Sequence, residues 1–258
     1  MSIKSKVLAA GTTLTLVGGG GMAGALTAGT ASAATPSCGP SCINLFSHQF
    51  GNFASPNYTV DVLKQGEKTG QPIILFRQAN YDPALDWTVA FQGTVADFFA
   101  AGLVSSAVAL HYGCIPGTAA FPTCVLAVND PAFENEYSPF GVESGLCMGV
   151  AATAFSDEGV TLQPCGVSSK TVWILDTYDQ QFNFISALRN GVPLINGSDT
   201  NFSQPFVLSY PNNGYPTDKP RPQLVVLNLT GFSNGISGPQ VGTIDSNQLW
   251  GARFGVLP

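Results

Sequence analysis

The sequence predicts an all-β fold in which three similar units pack around one shared core. Three observations point there. The 258 residues are 45% hydrophobic but only 10% charged, with 29 Gly and 18 Pro. Disordered chains need low hydrophobicity and high charge, and long-helix proteins need many Glu, Lys and Arg on exposed faces, so neither class fits. The three Trp, at 87, 173 and 250, each follow a short β-branched run bounded by turn residues. No amphipathic period of 3.6 survives the Gly and Pro that interrupt the chain.

Residues 1–33 read as a signal peptide. Lys4 and Lys6 form a basic start, an uncharged stretch follows from Val7, and Ala31-Ser32-Ala33 supplies the small residues that precede cleavage. The expected product is a secreted, extracellular chain, residues 34–258, forming a single domain. The ten Lys and Arg less Lys4 and Lys6 leave eight bases against 16 acids. Nucleic acid is not an expected partner, because phosphate neutralisation needs clustered cations and none stand together in the sequence. No membrane insertion of the mature chain is expected either: the most apolar later run, Phe98 to Leu110, is too short for a span.

All six Cys fall after the leader, and an even count in an oxidising compartment predicts disulfides. The spacing favours sequential pairing: Cys38 with Cys42, Cys114 with Cys124, Cys147 with Cys165. No Cys-x-x-Cys occurs and His48 and His111 are the only histidines, so no metal and no cofactor are expected.

The units divide at roughly 43–95, 96–180 and 181–258. Ahead of each Trp stand two strand candidates separated by a turn-forming segment: Tyr58–Val62 and Gln71–Phe76 around Lys64–Gly70; Gly145–Val150 and Gly159–Gln163 around Ala151–Glu158; Phe206–Tyr210 and Gln223–Asn228 around Pro211–Pro222. An opening strand is legible at Asn44–Ser47 and at Asn183–Ser186, with no clear counterpart in the middle unit. Phe98 to Asp130 reads as an insertion in the middle unit, a packed excursion or a short helix closed by Cys114 and Cys124. Units too small to bury a core alone must close around a common axis.

These motifs resemble the ricin B-type lectin repeat. The middle unit has Cys147-Met-Gly-Val150, Gly159-Val-Thr-Leu-Gln-Pro-Cys165 and Thr171-Val-Trp173; the first has Val60-Asp61-Val62, Gly70 to Phe76 and Leu85-Asp-Trp87; the last has Asn247-Gln248-Leu249-Trp250. The resemblance implies a β-trefoil with an insertion in the middle repeat, and supports the Cys147–Cys165 pairing. A rival register for the third unit sets Gln204-Pro-Phe-Val-Leu208 against Gln71-Pro-Ile-Ile-Leu75, making Gln223-Leu-Val225 the counterpart of Gln-x-Trp. The Trp250 register is preferred because it places one Trp in each unit.

The resemblance also implies a sugar site built from a second-strand Asp that accepts hydroxyl donors, an aromatic ring beneath the pyranose, and an amide near Gln-x-Trp. Asp61 and Phe76 fill two of these positions in the first unit, where Ala84 or Leu85 stands for the amide. The middle unit has Gly149 and Gln163; the third has Ser209 and Asn228 but keeps Asn247 and Gln248. The candidate ligand residues are therefore Asp61, Phe76, Asn247 and Gln248. The expected function is a non-catalytic binding module for a neutral glycan, with eroded sugar sites. The alternative is a structural or interaction protein, bound to a cell-surface protein, that has lost sugar binding. Hydrolysis is a third reading: Gly231-Phe-Ser-Asn-Gly235 matches a nucleophile elbow around Ser233, but Ile236-Ser-Gly-Pro239 breaks the helix an elbow needs and no His follows. His48 and His111 lack partner motifs, and Asn196–Asp199 and Asp82–Asp86 read as turns.

Overall fold

A computed structural model describes residues 43–77, 86–112, 114–115, 131–176, 189–201, 204–211, 214–231 and 244–254. All of them lie in the compact unit Ala33–Pro258. The expected signal peptide, Cys38, Cys42, Cys124, Ser233 and the Asn183–Ser186 strand candidate lie outside the described residues.

Among the described residues twelve strands follow in order. They are β1 (Ile43–Ser47), β2 (Tyr58–Val62), β3 (Ile73–Arg77), β4 (Trp87–Thr94), β5 (Pro131–Tyr137), β6 (Leu146–Val150), β7 (Glu158–Pro164), β8 (Val172–Leu175), β9 (Leu194–Asn196), β10 (Phe206–Ser209), β11 (Val225–Asn228) and β12 (Trp250–Phe254). Their pairing defines two layers. Strand β1 pairs with β12 and β4, β4 with β5, β5 with β8, and β8 with β9. A bridge from Val192 to Trp250 returns to β12 and closes a six-stranded ring. The other six strands form hairpins β2–β3, β6–β7 and β10–β11. These hairpins join one another through Pro72 to Thr161, Gly159 to Val225, and Ile74 to Gln223. A closed ring capped by three mutually paired hairpins is the β-trefoil arrangement, and closure leaves the ring no free edge.

The three indoles explain why the units repeat. Trp87, Trp173 and Trp250 are buried, and each Nε1–H donates to a carbonyl of its own unit's hairpin: Val60 at 3.1 Å, Met148 at 2.9 Å, Leu208 at 2.7 Å. Each ring thus ties a barrel strand to a hairpin and satisfies a carbonyl in the core. Burying a ring of this size stabilises the core by roughly 4–6 kcal/mol. The bond from Trp250 to Leu208 matches in its place on the hairpin those from Trp87 and Trp173. Gln223 instead precedes β11 and donates its side-chain amide to the Val160 carbonyl at 2.8 Å.

The opening strands are β5 in the middle unit and β9 in the third. Strand β5 carries Glu134, Asn135 and Glu136, all buried. Its carboxylates accept backbone N–H groups from Gly166 and Gly145, and Glu134 also accepts the Thr171 hydroxyl.

Between β4 and β5 lie two six-residue helices, α1 (Val95–Ala100) and α2 (Ser106–His111). Thr94 and Asp97 form a reciprocal capping box on α1, and Ser105 caps α2. Phe98, Val104 and Val108 pack with Ile174, Ile195 and Val207 in a second apolar cluster. The described part of the expected insertion is therefore helical and packed. Among the described residues no helix is long and apolar enough to cross a membrane.

The Cys147–Cys165 disulfide is present and crosses the ends of the β6–β7 hairpin. Cys114 is disulfide-bonded as well.

Candidate functional site

Asp61 and Phe76 come together. Both line one surface cleft of about 700 Å3 on the first hairpin, with Val62, Ile74 and the turn residues Leu63 to Gln65. Strand register sets Asp61 opposite Ile74 and Phe76 opposite Thr59. Asp61 is only 3% exposed, whereas Phe76 is half-buried. The opposite wall comes from the third unit, where the β10–β11 connection leans over and contributes Lys219, Pro220 and Arg221.

The Arg221 guanidinium lies 4.1 Å from the centroid of the Phe76 ring. Lys64 and Lys219 are exposed and Arg221 is half-buried. Among the described residues none of the three forms an ion pair. Lys64 and Gln65 have φ of 58° and 55°, a left-handed conformation that costs a non-glycine residue about 1 kcal/mol. The turn that offers Lys64 to the cleft is thus a strained one. Gln71, buried beneath it, donates its side-chain amide to the Leu63 carbonyl and holds the turn in place.

The equivalent positions of the other two units are filled. In the middle unit Gly149 occupies the place of Asp61, and a Cβ there would sit 2.8 Å from both the Lys170 carbonyl and the Thr171 methyl. A carboxylate has no room. In the third unit Ser209 takes the place of Asp61 and is fully buried. Strand register puts Leu227, not Asn228, at the place of Phe76: Leu227 faces Val207 as Phe76 faces Thr59.

Asn247 and Gln248 do not reach the cleft. Gln248 is 1% exposed and spends its amide on the framework. Its Oε1 accepts from the Thr230 backbone at 2.8 Å and the Thr230 hydroxyl at 3.0 Å, and its Nε2 donates to the Asn228 carbonyl at 2.9 Å and to Ser209 Oγ at 3.3 Å. Asn247 donates to the Tyr210 carbonyl at 2.9 Å, while the Tyr210 N–H donates back to the Asn247 carbonyl. The expected ligand amides of this unit are instead the clasp that holds β10 and β11 to the approach to β12. Buried amides demand such partners, and here they are backbone groups and the Thr230 and Ser209 hydroxyls.

The three cleft cations escaped sequence reading. Lys64 lies far from Lys219 and Arg221 along the chain, so the cluster exists only once the third hairpin's connection has folded over the first. The two residues near each other, Lys219 and Arg221, looked like ordinary turn residues in a Pro-rich loop.

No protein-family model and no curated protein sequence matches the chain. Among solved structures it is similar to a designed 3-fold symmetric protein, ThreeFoil, at 11% identity and TM-score 0.45, covering 82% of this chain and 97% of that one. It is also similar to a mosquitocidal holotoxin, at 11% identity and TM-score 0.44, covering 82% of this chain and 17% of that one. The Rhizoctonia solani agglutinin matches at 11% identity and TM-score 0.42, covering 83% of this chain and 96% of that one. At these values the fold rests on the strand pairing itself.

Proposed function

We propose that this chain is a secreted, non-catalytic carbohydrate-binding protein whose ligand occupies the Asp61–Phe76 cleft. The observation that carries the reading is the meeting of these two side chains in one cleft on the first hairpin. A carboxylate accepts paired hydroxyl donors, and an aromatic ring in the same cleft offers an apolar surface to the C–H face of a pyranose. Export is supported by the basic start and the Ala31-Ser32-Ala33 motif, and by the Cys147–Cys165 disulfide, which persists in an oxidising compartment.

The test is binding of the full chain to a glycan array, repeated with Asp61→Asn and Phe76→Leu, each shown to be folded at the assay temperature by a cooperative thermal transition. Binding that both substitutions abolish is the expected result. An array on which the wild-type chain binds no sugar overturns the reading in favour of a protein-interaction role, and glycoside or ester turnover by the chain overturns its non-catalytic part.

A further inference from the structure

We infer that the cleft selects an acidic saccharide, one bearing a carboxylate or a sulfate, and that Lys64, Lys219 and Arg221 hold its charged group. The inference rests on the carbohydrate reading above and goes beyond it by naming the ligand's chemistry.

Charge accounting carries the argument. After the leader the chain has eight Lys and Arg against 16 Asp and Glu, so an average patch of its surface is negative. Three of those eight bases nevertheless line one cleft of about 700 Å3, accompanied there by a single carboxylate, Asp61. The cleft is locally positive on an acidic protein. Asp218, next to Lys219 in sequence, is not among the lining residues, and its Oδ2 accepts the Tyr215 backbone N–H at 2.6 Å, closing its own turn.

One of the cations is also positioned. Arg221 is stacked on Phe76 and loses less freedom on binding a ligand than a solvated arginine would. Preorganisation of this kind favours binding because the ordering cost is met during folding.

The composition of the cleft separates a sugar acid from other anions. A nucleic-acid strand needs a track of cations along many phosphates, and three bases around one pocket give a single point of charge. Asp61 repels a second phosphate and matches the hydroxyls of a sugar. An acidic saccharide uses every group present: hydroxyls on Asp61, ring face on Phe76, charged substituent on the three bases.

The experiment compares galactose, galacturonate and galactose 6-sulfate on one linker, with inorganic sulfate and a short oligonucleotide as competitors. The full chain is titrated at about 50 mM and about 500 mM salt, since exposed charge contacts are screened over this range. An acidic sugar binding about tenfold tighter than galactose is expected, with the advantage shrinking at high salt. Lys64→Gln with Lys219→Gln should remove most of that advantage while leaving thermal unfolding unchanged. Preference for the sulfate over the carboxylate, or the reverse, then identifies the charged group. Equal binding of all three sugars overturns the inference and leaves the carbohydrate reading standing. Binding of no sugar overturns both. Competition by inorganic sulfate or the oligonucleotide at equal charge overturns the inference by showing a site for charge alone.

Discussion

The Arg221 guanidinium lies over the ring of Phe76 at 4.1 Å, and this stacked pair ties the connection of the third hairpin to the second strand of the first. A cation over an aromatic face at a partly exposed site contributes about 0.5–1 kcal/mol. A double-mutant cycle of Phe76→Leu and Arg221→Gln, read by urea unfolding, should return a coupling of about that size. Strict additivity would mean that the two side chains are neighbours without being partners.

Lys64→Gly separates stability from binding. Glycine adopts a φ near 58° without steric cost, so the substitution should stabilise the fold by about 1 kcal/mol. It also removes one cation from the cleft, so binding of an acidic sugar should weaken. Urea midpoints beside titrations of the same preparation check this, and a variant that loses stability contradicts the strained geometry of the turn.

Replacing Trp87, Trp173 or Trp250 by Phe, one at a time, removes an N–H that satisfies a buried carbonyl and leaves some unfilled volume. Each should cost about 2–4 kcal/mol. Denaturant unfolding of the three variants compares the units directly. A cost confined to one of them would show that the threefold equivalence in geometry is not one in energy.

The Cys147–Cys165 bond spans 18 positions. Restricting a loop of that length in the unfolded chain is worth about 3 kcal/mol. Converting both residues to Ser should therefore lower Tm by about 6–12 °C for a domain of this size, as followed by scanning calorimetry. A fall of a degree or two would assign the stability of the β6–β7 hairpin to its strand pairing instead.

Stability should depend only weakly on pH between about 4.5 and 6.5. Burial pushes His111 down to about 4 and lowers His48. Their stabilisation is intact above the ordinary imidazole value of 6.5 and is lost as pH falls toward 4, because the unfolded chain then binds the extra protons. Burial raises Glu134, Glu136 and Asp199, against the hydrogen bonds that oppose it. Their contribution is complete below the ordinary carboxylate values and is lost as pH rises through the raised ones. The two slopes oppose each other. Glu134→Gln keeps an oxygen for Thr171 and Gly166 but removes one of the falling contributions, so its stability should climb more steeply from pH 4.5 to 7 in urea titrations. Parallel curves would show that Glu134 does not titrate in this window.

The hairpins were legible in the sequence and the barrel was less so, for a local reason. Strands such as Tyr58–Val62 and Val225–Asn228 are short β-branched runs bounded by turn residues, and their partners are close along the chain. Strand β5, Pro-Ala-Phe-Glu-Asn-Glu-Tyr, reads as surface because of its two Glu, yet both are buried; the backbone N–H groups that accommodate them, from Gly166 and Gly145, lie beyond the strand. Strand β9 is only three residues long. At the site, Asp61 and Phe76 were visible because one motif places them on one hairpin. Asn247 and Gln248 were visible as residue types, but their partners are backbone groups and hydroxyls that only the folded third unit supplies. The cation cluster had no trace in the local sequence, and net charge concealed it.

Pairing of Ile43 with Phe254 through Ser47 with Trp250 joins the earliest described strand to the latest. During synthesis the ring therefore stays unclosed until Trp250–Phe254 has left the ribosome. A nascent chain ending before Trp250 presents one bare flank on β1 and another beside Val192, each able to recruit a strand from a neighbouring nascent chain. Premature termination upstream of the last five-residue strand should thus yield aggregates rather than a smaller soluble domain, even though nearly all of the core side chains would already be present.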